Sequence, residues 1–319
     1  MTEKRNLKVG LAQLAPIWLE REATTEKVVA SIDEAGSRGC QLVAFGEALL
    51  PGYPFWVDFT DGAKFESDVQ KEIYARYAEQ AVVVERGDLN SICAAAKRGK
   101  CMVVLGTIER AADRGGHSLY CSLVKIDPAG QILSVHRKLM PTFEERLVWS
   151  PGDGHGLQVH SLGEFHVGAL NCWENWMPLP RASLYAQGED LHVAIWPGSV
   201  RNTEDITRFI ARESRSFVLS VSGVLSSEDI PETMPQRELI LRRCPKVMAN
   251  GGSCIAGPDG EWVVPPASSV EQIVVAELDH GFVLRERQNF DPSGHYSRPD
   301  VTKLIVNRQR QSVIELQDS

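Results

Sequence analysis

Short apolar runs alternate with helically spaced apolar positions along the whole chain, and this alternation sets the expected class. Residues 9–14 read as a buried strand, and Val28, Val29, Ile32 and Ala35 then recur on one helix face. Thr24 or Thr25 is placed to cap that helix and Gly39 to end it. A strand over 42–45 follows, then helical patterns over 65–84 and 88–98, and a strand over 102–106. Runs 119–126 and 131–135 flank Asp127-Pro128-Ala129-Gly130, whose turn chemistry predicts a hairpin. The second half repeats the order, with a strand over 165–170, a helix from Pro178, a strand over 192–196, a helix over 204–213 and a strand over 217–221. A second hairpin over 253–264 turns at Gly257-Pro258-Asp259-Gly260, and 272–278 gives a last strand. Two similar halves predict an α/β protein with mixed sheets packed on each other and helices outside. Nothing reads as an interdomain linker, so one domain is expected over 1–319. Within it, 222–250 carries Pro231, Pro235 and Pro245 and predicts an irregular loop, a lid or a subunit contact; 307–319 predicts a short polar tail.

Composition narrows the class. With 319 residues, 43% of them hydrophobic, the chain can bury a sizeable core. The formal charge of −8 comes without a long Lys/Arg run, which excludes the electrostatic footprint of a nucleic-acid binder. Apolar runs fall short of the ~18 residues that suggest a membrane span, and no signal-peptide core opens the chain, so a cytoplasmic location is expected. Seven cysteines, an odd number without tight pairing, predict free thiols in place of a disulfide framework.

One of those thiols stands out. Cys172 directly follows the strand over 165–170 and opens a polar turn before a helix, the position where an α/β sheet exposes a nucleophile. A buried cysteine acting as a small hydrophobe is the plainer alternative, and it stands for the other six. Glu47 ends the strand over 42–45 among apolar neighbours; burial there would raise its pKa toward the range of a general base, whereas read alone it is a surface loop glutamate. Lys138 lies in Arg137-Lys138-Leu139-Met140-Pro141-Thr142-Phe143-Glu144-Glu145-Arg146, either a self-paired surface run or a fixed ammonium beside a developing anion. The histidines are scattered and no metal-ligand or phosphate-loop spacing occurs, so neither metal nor cofactor is expected. A Cys-His-Asn arrangement would need His192 or His166 to reach Cys172, and no motif supports it.

Taken in order, Phe45-Gly46-Glu47, the Arg137–Arg146 run, Trp149, Gly152-Asp153-Gly154 and Asn171-Cys172-Trp173-Glu174-Asn175-Trp176-Met177-Pro178-Leu179 with Arg181, Leu184 and Tyr185 resemble the nitrilase superfamily over nearly the whole chain. The C-W-E-N-x-x-P-L string is similar to the nitrilase branch. The resemblance implies a four-layer α-β-β-α sandwich and a catalytic set of Glu47, Lys138 and Cys172. It also implies a second glutamate, placed on Glu145 because this residue precedes Arg146, with Glu144 as the neighbouring alternative. It implies hydrolysis of a small-molecule nitrile to acid and ammonia through a covalent cysteine intermediate, without cofactor or metal, and a homo-oligomer, a dimer or a spiral. The backbone N–H of Trp173 is expected to stabilise charge on the former nitrile nitrogen, and Tyr53 and Trp196 to line an apolar pocket, unless these aromatics are core. Aliphatic and arylaliphatic nitriles are the favoured substrates. An amidase or carbamoylase, a cyanide hydrolase and a catalytically silent binding homologue are the rival readings.

Overall fold

The computed structural model describes residues 6–267, 269–315 and 317. Its strands form two six-stranded mixed sheets. The first gathers β1 (Asn6–Gln13), β2 (Leu42–Phe45), β3 (Met102–Arg110), β4 (Leu119–Ile126) and β5 (Ile132–Arg137); the second gathers β6 (His160–Leu162), β7 (Phe165–Asn171), β8 (Leu191–Trp196) and β9 (Phe217–Ser222). A ribbon of β10 (Val224–Ser226) and β11 (Val247–Asn250) follows, β12 (Cys254–Ala256) and β13 (Trp262–Val264) extend the second sheet, and β14 (Gln272–Asp279) returns to pair with β1. Parallel triplets β1-β2-β3 and β7-β8-β9 occupy the centres, with antiparallel strands outside them.

Strand alternation explains the layers. Val9, Leu11, Leu42, Ala44, Met102 and Val104 point inward and meet Val167, Ala169, Val193, Ile195, Leu219 and Val221 of the other sheet. The alternate residues Val43, Phe45, Val103 and Leu105 face α1 (Arg21–Ser37) and, beyond α2 (Trp56–Phe59) and α3 (Asp68–Gln80), α4 (Asn90–Gly99). After α5 (Pro178–Tyr185), α6 (Val200–Ser214) covers the outer face of the second sheet with Ile206, Ile210 and Ala211; α7 (Arg237–Arg243) and α8 (His280–Arg287) complete the chain. Each fully buried Val, Leu or Ile contributes about 1.5–3 kcal/mol, so the junction of the sheets is a large source of stability beside the helix-facing clusters. The expected α-β-β-α sandwich is the fold observed.

Several expectations change. Neither Thr24 nor Thr25 caps α1, which starts at Arg21; the Thr24 hydroxyl instead bonds the N–H and the carbonyl of Ile17, both at 3.0 Å. The helix expected over 65–84 shrinks to α3, because the Ser67 hydroxyl accepts from the Gln70 N–H and sets its start. β3 continues past 106 because its polar residues find buried partners, Thr107 on the Leu50 carbonyl and Glu109 on Arg137. The stretch 222–250 is not irregular: it holds β10, α7 and β11, and packs Leu225, Ile230, Met234 and Ile240 against Trp18, Trp56 and Tyr77. Of the 307–319 tail, the described part is anchored, with Arg310 bonding Asp153 at 3.1 Å and the Val135 carbonyl at 3.0 Å; its positions 316, 318 and 319 lie outside the described residues. Among the described residues no helix is long and apolar enough to cross a membrane.

Candidate active site

Three strand ends deliver the candidate residues to one point between the sheets. Glu47 follows β2 and Lys138 follows β5, both from the first sheet, while Cys172 follows β7 of the second. The Glu47 N–H donates to the carbonyl of Trp196 at the end of β8 (3.0 Å), tying the two sheets beside the site. Gly46 makes this approach possible, since a Cβ there would lie 2.9 Å from the Trp196 oxygen and 3.2 Å from the Gly223 nitrogen.

The Lys138 ammonium donates to Glu47 Oε1 at 2.9 Å and to Glu145 Oε2 at 2.7 Å, and all three side chains are almost wholly buried. Glu145 also accepts from the Thr142 N–H (2.6 Å) and the Tyr53 hydroxyl (2.8 Å). Thr142 and Glu145 form a capping box on the 3₁₀ turn Phe143–Leu147, which is why this glutamate turns inward. Glu144 stays half-buried at the rim, a second acceptor for Tyr53 at 3.1 Å. One ligand atom from each of Glu47, Glu145 and Cys172 lies within 4.8 Å of the others, a spacing that resembles a metal site. The ammonium bonded to both carboxylates already supplies the positive charge, so the donor set does not fit a resident metal ion.

Cys172 opens a second 3₁₀ turn, Cys172–Trp176, with φ +43°, a left-handed conformation that costs a non-glycine residue roughly 1–3 kcal/mol. Asn175 Nδ2 holds it there through the Cys172 carbonyl at 2.8 Å. Glu174 accepts from the Asn171 N–H at 2.8 Å and caps the same turn. Burial and the nearby Glu47 push the Cys172 thiol well above the usual cysteine range, against the pull of Lys138 and the Trp173 N–H. Burial likewise raises Glu47 to about 7, with Lys138 opposing and Glu145 reinforcing the rise. Burial would favour neutral Lys138, but Glu47, Cys172 and Glu145 outweigh it and hold the ammonium charged, well above the lysine range. The result is a protonated thiol beside a carboxylate whose affinity for a proton is matched to neutral pH, and a fixed cation next to both.

Other expectations are redistributed. Tyr53 is at the site, but through its hydroxyl on Glu145. Trp196 is completely buried with Cys172, Ile206 and Ile210 and bonds Ser220, so it serves as core behind the thiol and not as pocket wall. The Trp173 ring is half exposed and lies against Trp176, with centroids 6.2 Å apart; its backbone N–H is what faces the sulfur. His192 uses both ring nitrogens elsewhere, on Glu189 and Asn175 at 2.7 Å each, and His166 is half exposed beside Asp190, so neither histidine serves Cys172. Sequence reasoning missed Cys121, whose buried thiol lies 3.5 Å from Glu47 Oε1; a cysteine inside a strand run carries no local signal of that contact.

Comparison with known proteins decides the family. A model of the family "Carbon-nitrogen hydrolase" matches residues 8–285. The chain belongs to the carbon–nitrogen hydrolase family. Its relatives include an "Aliphatic nitrilase" of Sinorhizobium fredii, 36% identical over 96% of this chain and 97% of the relative, and an "Aliphatic nitrilase" of Rhodococcus rhodochrous, 35% identical over 97% and 85%. A "Bifunctional nitrilase/nitrile hydratase NIT4" of Oryza sativa subsp. japonica is 36% identical over 95% and 84%. Solved structures share the fold of this hydrolase at lower identity. Nit3 of Saccharomyces cerevisiae, a member of branch 10 of the nitrilase superfamily, has a TM-score of 0.70 at 18% identity, covering 91% of this chain and 96% of its own. A double mutant of the amidase from Nesterenkonia sp. in complex with acrylamide has a TM-score of 0.65 at 16% identity, covering 91% and 97%.

Proposed function

We propose that this carbon–nitrogen hydrolase is a nitrilase that converts an aliphatic nitrile to its carboxylic acid and ammonia. The observation that carries the reading is the buried contact of Glu47, Lys138 and Glu145 beside the Cys172 thiol. Glu47 accepts the thiol proton as sulfur adds to the nitrile carbon, and the nitrogen takes up that proton, giving a thioimidate. Lys138 and the Trp173 N–H face the sulfur, where charge develops on the former nitrile nitrogen, and a fixed donor of this kind is worth several kcal/mol in a water-poor site. Glu47 then draws a proton from water as the water oxygen adds to the thioimidate carbon; the nitrogen takes up both water protons and leaves as ammonia, and a second water cleaves the resulting thioester to acid and free thiol. Two waters are consumed for each nitrile, and no oxidant or reductant is needed. Glu145 and Tyr53 hold the ammonium in place. The relatives named aliphatic nitrilases favour an aliphatic substrate.

The test is ammonia release from a panel of aliphatic, arylaliphatic and aromatic nitriles, cyanide and the matching amides, with intact-protein mass spectrometry for the covalent adduct. Turnover of nitriles with an adduct on Cys172 is expected. Release from the amides alone would replace the proposal with amide hydrolysis by the same groups.

Two further outcomes follow from Glu47. Its carboxylate form does the work, so kcat/KM should fall in proportion to the ionised fraction as pH drops through about 7 and level off above it, read from a pH–rate profile. Glu47→Gln keeps the shape and removes the base; kcat/KM is expected to drop by roughly 10²–10⁴, and the acid limb of the profile should vanish with it.

A further inference from the structure

We propose that Glu174 is a positioning residue for this reaction, its carboxylate gripping the backbone beside Lys138 and beside Cys172 and thereby setting ammonium against thiol. The inference rests on the nitrilase reading of the site. Lys138 and Cys172 belong to different sheets, so their mutual placement depends on bonds that cross between the two. Glu174 bridges them: Oε1 accepts from the N–H of Leu139, next to Lys138, at 2.6 Å, and Oε2 from the N–H of Asn171, next to Cys172, at 2.8 Å. His136 Nε2 lies 3.0 Å from each oxygen and locks the carboxylate between the two. Both side chains are completely enclosed.

A cap for the Cys172 turn would need only the Asn171 bond, which a neutral side chain can make. A buried carboxylate is costly unless each oxygen is satisfied, and here both are, by donors from both sheets. Burial alone would raise Glu174, yet His136 and the two backbone N–H groups hold it below the usual glutamate range, ionised throughout. Glutamine in its place has one acceptor oxygen, so its amide nitrogen must face an N–H and one grip is lost. The Glu174 carboxylate is bonded to the N–H groups of Leu139 and Asn171 and to His136, so its influence on Lys138 and Cys172 runs through the backbone.

The test compares Glu174→Gln, His136→Leu and His136→Gln with the parent protein. Glu174→Gln and His136→Leu are expected to lower kcat by about 10²-fold, the effect of a misplacement near 1 Å, with KM changed less than about threefold. In both, iodoacetamide alkylation of Cys172, corrected with Cys172→Ala for the other thiols, should shift to higher pH. His136→Gln keeps a donor and should restore most of the rate. Folded Glu174→Gln or His136→Leu protein with parental kcat and an unshifted alkylation profile overturns the proposal, leaving only a local cap. Failure of both to accumulate as folded protein overturns it equally, since the network would then be structural. Alkylation needs no substrate, so it decides this point even if the parent releases no ammonia from nitriles.

Discussion

Cys172→Ala protein should fold and release no ammonia above background from any nitrile. The substitution removes one sulfur from a buried side chain, a loss of stability on the order of 1 kcal/mol, and leaves the neighbouring ion pairs intact. It removes the thiol that lies beside both the ammonium and the Trp173 N–H. Cys121 is the nearest substitute, 3.5 Å from Glu47, but burial and Glu47 push its thiol well above the cysteine range, and it lies inside β4. The adduct seen by mass spectrometry should therefore disappear along with turnover. Ammonia release at the parental rate from the Ala variant would remove the covalent mechanism.

Lys138→Met should do more damage than any other single change at the site. It leaves Glu47 and Glu145 facing each other, fully buried, without the cation that bonds both. Stranding a buried charge in this way costs about 3–5 kcal/mol, so a large fall in thermal midpoint should accompany the loss of activity. Part of that cost is avoided by protonating Glu47, whose affinity for a proton rises further without the ammonium. The variant should therefore be less destabilised at acid pH than at alkaline pH: a carboxylate raised by folding contributes stability that is lost as pH rises through its folded-state pKa. Thermal melts at several pH values would show this. A midpoint equal to that of the parent, with activity retained, would mean that Lys138 is dispensable.

Most strands were legible because their apolar runs are short, bounded by turn residues and buried on both faces, and the hairpin strand Leu119–Ile126 matches residue for residue. Helix starts were harder, because caps such as Ser67 compete with nearby hydroxyls that bond loops, as Thr24 does. Glu47, Lys138 and Cys172 were each ambiguous alone, since the meaning of a loop carboxylate, a charged run or a strand-end thiol depends on what lies across the gap between sheets. Glu145 was placed by its position before Arg146 with Glu144 as the alternative, and the capping box it forms with Thr142 is what turns it, and not its neighbour, inward. Asn171 and Glu174 form a capping box too, but the reach of Glu174 to Leu139 spans 35 positions and leaves no local trace. Trp196 was misplaced for the opposite reason: an aromatic at a strand end looks alike whether it lines a pocket or backs one.

The thiol and its two charged neighbours come from opposite sides of one seam. Before the seam closes, Cys172 is an ordinary cysteine with a pKa of about 8.5, no partner base and no fixed cation, and is no more reactive than the six beside it. Turnover is thus switched on by assembly of the protein itself, which makes its loss an early alarm for any parting of the two halves.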